Sequence, residues 1–359
     1  MKIDKKIIVF IVIAIVVITL IFISYLNQSN TKTLQNTPIP TATKTANPLN
    51  ISTTLQEKVY FPYLISNGSI IYLGGQGIIF YKYQNGSKQK IWKDEILGVE
   101  KVYYPQNGNF AIVRSNYPEN KLTMYNFNSF QTAELNNNIQ EIVWTKQEKI
   151  IYNYSDPQNK INNISISDVD GKDWQEIVNI DLFKPELALS SDEKTLLLKP
   201  TIDDLGSNFI YSLNLETKEI TKLTTAGYEV NPLWNSTASK IIYYQINKNT
   251  GIPSSYLMDK SGQNKKDLKI RTIPGKAVWQ DQQNIIVAVP QILENDYAYN
   301  AFFISKDEFY IINIESQKAI KLELPSPGYV ENVENLFYDS QTKNLYFTSN
   351  DTLRSMKIE

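Results

Sequence analysis

Neither histidine nor cysteine occurs among the 359 residues. The first absence removes the commonest general base, a Ser-His-Asp triad and the usual zinc enzyme sites. The second removes disulfides, thiolate metal sites and cysteine nucleophiles. Oxygen chemistry is left. The chain holds 37 Asp and Glu residues, and two suitably spaced acids suffice for glycoside hydrolysis. The densest acidic stretch is Asp168-Val169-Asp170-Gly171-Lys172-Asp173. Carboxylates at alternate positions around a glycine can present oxygens to Ca²⁺, but an EF-hand-like loop needs a distal Glu at fixed spacing. None stands here, so the stretch reads as a hairpin turn. No catalytic residue, metal ligand or cofactor is assigned.

Binding groups are the second kind of candidate. Tyr297, Tyr299, Phe302 and Phe303 cluster in the stretch from Pro290 to Lys306. Exposed aromatics anchor interfaces, and these four are the candidate binding residues. The plainer alternative is that they pack back onto their own sheet. Nucleic acid is not expected as a partner: the net charge is -1 and only Arg114, Arg271 and Arg354 occur, whereas nucleic-acid binders show basic domains.

The elements that must position these groups repeat along the chain. A strand ends in an aromatic or large apolar anchor, a polar turn of about five residues follows, and three further strands complete the unit. The anchors are Tyr63, Tyr104, Trp144, Leu189, Trp234, Trp279 and Tyr338. Subtraction gives separations of 41, 40, 45, 45, 45 and 59 residues. Periods near 40–45 with four strands each mark the blades of a propeller. Turns such as Gln84-Asn85-Gly86-Ser87 and Asp259-Lys260-Ser261-Gly262 supply the positive φ that tight hairpins need. The expected fold is all-β, a seven-bladed β-propeller of four-stranded blades over 51–359. The anchors are expected in the core.

The last repeat yields three strands, and Ile51–Glu57 is expected to supply its fourth, leaving no open sheet edge. Loops between second and third strands lengthen at Ser155–Asn163, Pro200–Asn208 and Asn247–Ser255, and most at Pro290–Lys306. All are expected on one face.

Trp234-Asn235-Ser236, then Lys240-Ile241-Ile242-Tyr243, then Tyr256-Leu257-Met258-Asp259-Lys260-Ser261-Gly262 resembles the TolB-type, WD40-like propeller repeat, and Leu189-Ser190-Ser191-Asp192-Glu193-Lys194 is a second copy. The resemblance covers the repeat region and implies a propeller with, commonly, a protein-binding role. Propellers of the prolyl peptidases lead into a hydrolase domain; none is expected after the seventh repeat. Ser167 to Trp174 approaches the Asp-box of sialidases, but Val169 stands where its Asp belongs, and we read this as coincidence.

Upstream, Ile7–Leu26 is a run of twenty uncharged, mostly apolar residues. As a helix it would span roughly 30 Å, the hydrocarbon thickness of a bilayer. Lys2, Lys5 and Lys6 precede it and no charge follows until Lys32. The positive-inside tendency places residues 1–6 in the cytoplasm, the run 7–26 across the membrane, and the rest outside. The run is long for a cleaved signal peptide and lacks a small-x-small site. Residues 27–50, rich in Thr, Pro and Asn, read as a flexible linker. The sequence thus predicts a single-pass, membrane-anchored, extracytoplasmic propeller that acts as a protein-binding or scaffold module. The alternative is a glycan-binding or carboxylate-dependent glycan-processing protein on the same fold.

Overall fold

The computed structural model describes residues 43–44, 48–75, 77–182, 184–200, 209–225, 227–246, 253–272, 275–291 and 305–358. Every regular element among them is a β-strand. The apolar run 7–26 and Tyr297, Tyr299, Phe302 and Phe303 lie outside the described residues. Among those described, no helix is long and apolar enough to cross a membrane.

Seven antiparallel sheets follow one another along the chain. Blades 1 to 6 are built from strands within 60–90, 99–135, 139–179, 186–222, 228–267 and 277–322. Each runs from an inner first strand to an outer fourth. The inner strands of neighbouring blades touch one another, which sets them around the central channel. Blade 7 takes its three inner strands from Val333–Asp339, Asn344–Ser349 and Thr352–Lys357, and its outer strand from Ile51–Lys58. The closure expected from the sequence is therefore present: Ile51 pairs with Met356 and Thr53 with Arg354. A short parallel strand, Thr43–Lys44, adds a further edge to blade 6.

The second strand of a blade is buried on both faces, against the blade before it and the blade after. That is why it reads as an unbroken apolar run rather than an alternating one. Ile70–Leu73, Phe110–Val113, Leu196–Leu198 and Ile285–Val289 are all buried. The core accordingly divides into seven clusters, one at each blade interface. The seventh joins Leu55, Val59 and Leu353 of the closure to Ile70 and Tyr72 of blade 1.

Turn chemistry follows the sequence. Asn85 and Gly86 both take positive φ, at 49° and 82°, as a two-residue hairpin between right-twisted strands requires. Asp259 Oδ1 accepts from the backbone N–H of Ser261 and of Gln263 at 3.0 and 2.9 Å. One loop expectation is corrected. Strands Ile150–Asp156 and Ile161–Ser167 continue into the stretch assigned to a long loop, leaving only 157–160 as the turn. Asn153 and Asn163 are buried along these strands, and the Asn153 side chain donates to the Asn163 carbonyl at 3.1 Å and to Asn162 Oδ1 at 2.9 Å. Such satisfied amides extend a ladder into a polar stretch of sequence.

Candidate functional site at the channel mouth

Each inner strand delivers its anchor to one face of the ring, and the following turn fixes it there. In blade 4, Ser190 Oγ donates to Asp192 at 2.6 Å, and Glu193 N–H closes back on the Ser190 carbonyl at 2.9 Å. In blade 5, Asn235 Oδ1 accepts from the N–H groups of Ser239 and Lys240 at 2.9 and 3.0 Å. Two anchors are bonded across blade interfaces in equivalent ways. Trp234 Nε1 donates to the Ala188 carbonyl at 3.1 Å, and Trp279 Nε1 to the Leu233 carbonyl at 3.4 Å. Trp144 breaks this pattern: its Nε1 is buried and has no acceptor.

Trp144 also lines a recess of about 400 Å³ at the channel mouth, although its Nε1 is itself shut off from solvent. The wall is made by Tyr63, Tyr104, Trp144 and Leu189, the anchors of blades 1 to 4. Tyr63 and Tyr104 stack at 5.5 Å between ring centroids. The Tyr104 hydroxyl is also buried without a partner, in a residue only 7% exposed. Burial pushes its phenol well above the ordinary tyrosine range, so it stays neutral and keeps its proton. The rim is Gln106, Lys146, Ser191 and Glu193. Lys146 Nζ donates to the Ser191 carbonyl at 2.6 Å, and its backbone N–H donates to the Glu193 carboxylate. Ser191 Oγ in turn donates to the Ser236 carbonyl of blade 5 at 2.7 Å.

A buried donor left without an acceptor costs about 1–3 kcal/mol, and each such group calls for an explanation. Both belong to residues that wall the aromatic recess, whose ring faces offer a surface to stack on. The anchors were expected to be core alone. They do pack in the blade-interface clusters, and those of blades 1 to 4 line the recess as well. The repeat spacing locates the anchors, but it cannot say which indole finds a carbonyl.

Elsewhere in the blades, carboxylates meet lysines. Lys101 and Glu141 lie 2.6 Å apart, Lys199 and Glu186 2.8 Å apart, and the buried pair Lys276 and Asp307 2.7 Å apart. Burial pulls the Lys276 ammonium below the usual lysine range, against the pull of Asp307. Burial pushes Glu308 upward, but bonds from Lys321, Tyr310 and Gln291 outweigh it and hold its carboxyl below the usual range. Among the described residues, every carboxyl with a displaced pKa is displaced downward. Catalytic acids are tuned the other way. No group of three or more carboxylates suited to a metal occurs among the described residues. The Asp168–Asp173 stretch is the hairpin turn expected: Gly171 N–H bonds the Asp168 carbonyl at 2.9 Å, and Lys149 and Lys172 occupy Asp168 and Asp170.

The flanks of the aromatic insertion lie at the other face. They meet where the Gln291 N–H donates to the Lys306 carbonyl at 2.8 Å. The strand Asn284–Pro290 runs antiparallel to Ala277–Trp279, so Pro290 lies at the end of the blade away from Trp279. The recess and the described flanks of the insertion, Gln291 and Lys306, are thus on opposite faces.

No family model matches this chain, and no curated protein matches it. Solved structures do. The tricorn protease superposes with a TM-score of 0.57 at 9% identity, covering 87% of this chain and 34% of its own. The Cps50 (Swd1) β-propeller domain of Myceliophteria thermophila gives 0.56 at 9% identity, covering 87% of this chain and 100% of that domain. A putative TolB from Agrobacterium tumefaciens aligns over 59% of this chain and 81% of its own at 12% identity, with a TM-score of 0.44. The chain therefore spans about a third of the tricorn protease. The likeness to the tricorn protease and to the Cps50 domain defines the fold, a β-propeller, and nothing finer.

Proposed function

We propose that this chain is a binding module: a propeller that an N-terminal membrane anchor holds outside the cytoplasm, and that takes a protein partner at its channel mouth. The observation that carries the reading is the aromatic recess with two buried, unpartnered donors, Tyr104 OH and Trp144 Nε1. A partner segment would stack on Tyr63 and Tyr104 and, where the wall of the recess opens to admit it, offer backbone carbonyls to the two donors. The carboxyls with a displaced pKa among the described residues are all displaced downward, which favours binding over hydrolysis, since a glycosidase needs one raised carboxyl. The uncharged run 7–26 with its preceding lysines supports the anchor. Crosslinking in intact membranes, followed by affinity capture of full-length protein, tests the reading. Discrete partners captured by the wild type and lost from a Tyr104→Phe, Trp144→Phe variant support it. Equal capture by both, or no capture by either, removes it.

A further inference from the structure

We propose that the cleft between blades 2 and 3 is a second docking surface, fitted to a lysine- or arginine-bearing segment of a partner protein. It lies at the outer strands, apart from the channel recess. Blade 2 contributes Glu134 and Leu135 from its outer strand, and blade 3 contributes Ile161, Trp174 and Glu176, with Tyr152 beneath; the space is about 400 Å³.

Trp174 is 63% exposed, while the chain's other four tryptophans are buried or half-buried. Ile161 beside it is 39% exposed. Together they make an exposed apolar patch rimmed by polar residues, the kind of surface that marks a contact site. The position of Trp174 is fixed by the preceding turn. Gly171, at φ 81°, sits so close to blade 2 that a Cβ there would come within 2.9 Å of Leu135 Cδ2. The turn is therefore pressed onto the neighbouring blade, and Trp174 emerges over the cleft.

Charge selects the occupant. Glu134, Asp170 and Glu176 line the cleft, and no lysine or arginine does among the described residues. The two lysines that act on these carboxylates are already engaged, Lys172 with Asp170 at 2.6 Å and Lys121 with Glu119 at 3.0 Å. Glu176 is oriented by neutral amides alone, from Asn163 at 3.1 Å and Asn179 at 2.7 Å. Such bonds aim a carboxylate without cancelling its charge. A cation satisfies both features at once, since a guanidinium or ammonium stacks on an indole face and pairs with carboxylates beside it. A neutral sugar could stack on Trp174 too, but would leave the charge unanswered.

The test uses full-length protein in detergent micelles and a fluorescent peptide of alternating arginine and serine, followed by anisotropy. Binding should weaken about tenfold in Trp174→Ala, and comparably in the double variant Glu134→Gln, Glu176→Gln. It should also weaken as salt rises from about 50 to about 300 mM. Acrylamide quenching of tryptophan fluorescence should fall when the peptide binds, because Trp174 becomes covered. Far-UV circular dichroism confirms that each variant is folded. Tyr104→Phe should bind the peptide as the wild type does, which separates this surface from the channel recess. Absence of binding, binding indifferent to Trp174→Ala, or binding of maltohexaose in place of the peptide would each overturn the proposal.

Discussion

Ile51 is the register partner of Met356, so the strand that opens the propeller is bonded to the strand that ends it. Leu55 on the first and Leu353 on the second are buried in one cluster with Tyr72 of blade 1. Glu57, also on the closure strand, accepts from Tyr72 OH at 2.6 Å and pairs with Lys88 at 2.6 Å. The closure strand thus fastens blade 7 to blade 1 as well as completing it. Leu353→Ala should destabilise the protein by about 2–5 kcal/mol, the range for leucine truncation in a tight core. Urea denaturation followed by tryptophan fluorescence measures this. A loss below about 1 kcal/mol would mean that the seam is not closed as described.

A second seam is polar. Asp307 is fully buried, and its Oδ2 takes Lys276 Nζ at 2.7 Å, Ser305 Oγ at 2.6 Å and the backbone N–H of Val333 in blade 7 at 3.0 Å. Asp307→Ala strands the Lys276 charge and should cost about 3–5 kcal/mol, whereas replacing Lys276 and Asp307 together by Met and Leu should restore much of it. A double-mutant cycle by urea denaturation gives the coupling, and strict additivity would contradict the pairing.

Acid should weaken blade 6 through Glu308. Its folded pKa lies below the ordinary 4.5. The stability it contributes is fully present above that value and is lost as pH falls through the lower, folded pKa. Glu308→Gln should flatten this part of the acid limb. The check is the urea midpoint of wild type and variant from about pH 7 down to about pH 3, where parallel curves would exclude the role.

The channel mouth should show a trade-off. Tyr104→Phe deletes a buried hydroxyl that has no partner, so thermal stability should hold or rise, by up to about 1 kcal/mol. Partner capture should fall in the same variant. Loss of both stability and capture would instead mark the hydroxyl as a structural group.

The sequence by itself determined the class, the number of blades and the closure. These depend on local physics: a two-residue strand period, apolar runs where both faces are covered, and turn residues recurring at a fixed spacing. Ile51–Glu57 could be assigned to the last blade because a ring with a missing strand leaves an edge unpaired. The absence of His and Cys likewise bounds the chemistry from the sequence alone. The site was not legible in this way. Trp144, Trp234 and Trp279 occupy the same place in their repeats, yet two donate to a carbonyl of the preceding blade and one does not. Nor does the residue after Asp173 announce an exposed ring over three carboxylates, since Leu135, Glu134 and Trp174 come from different blades. Repeat position fixes where a side chain starts. Which groups it meets depends on how blades distant in sequence are packed side by side, and only the tertiary structure decides that.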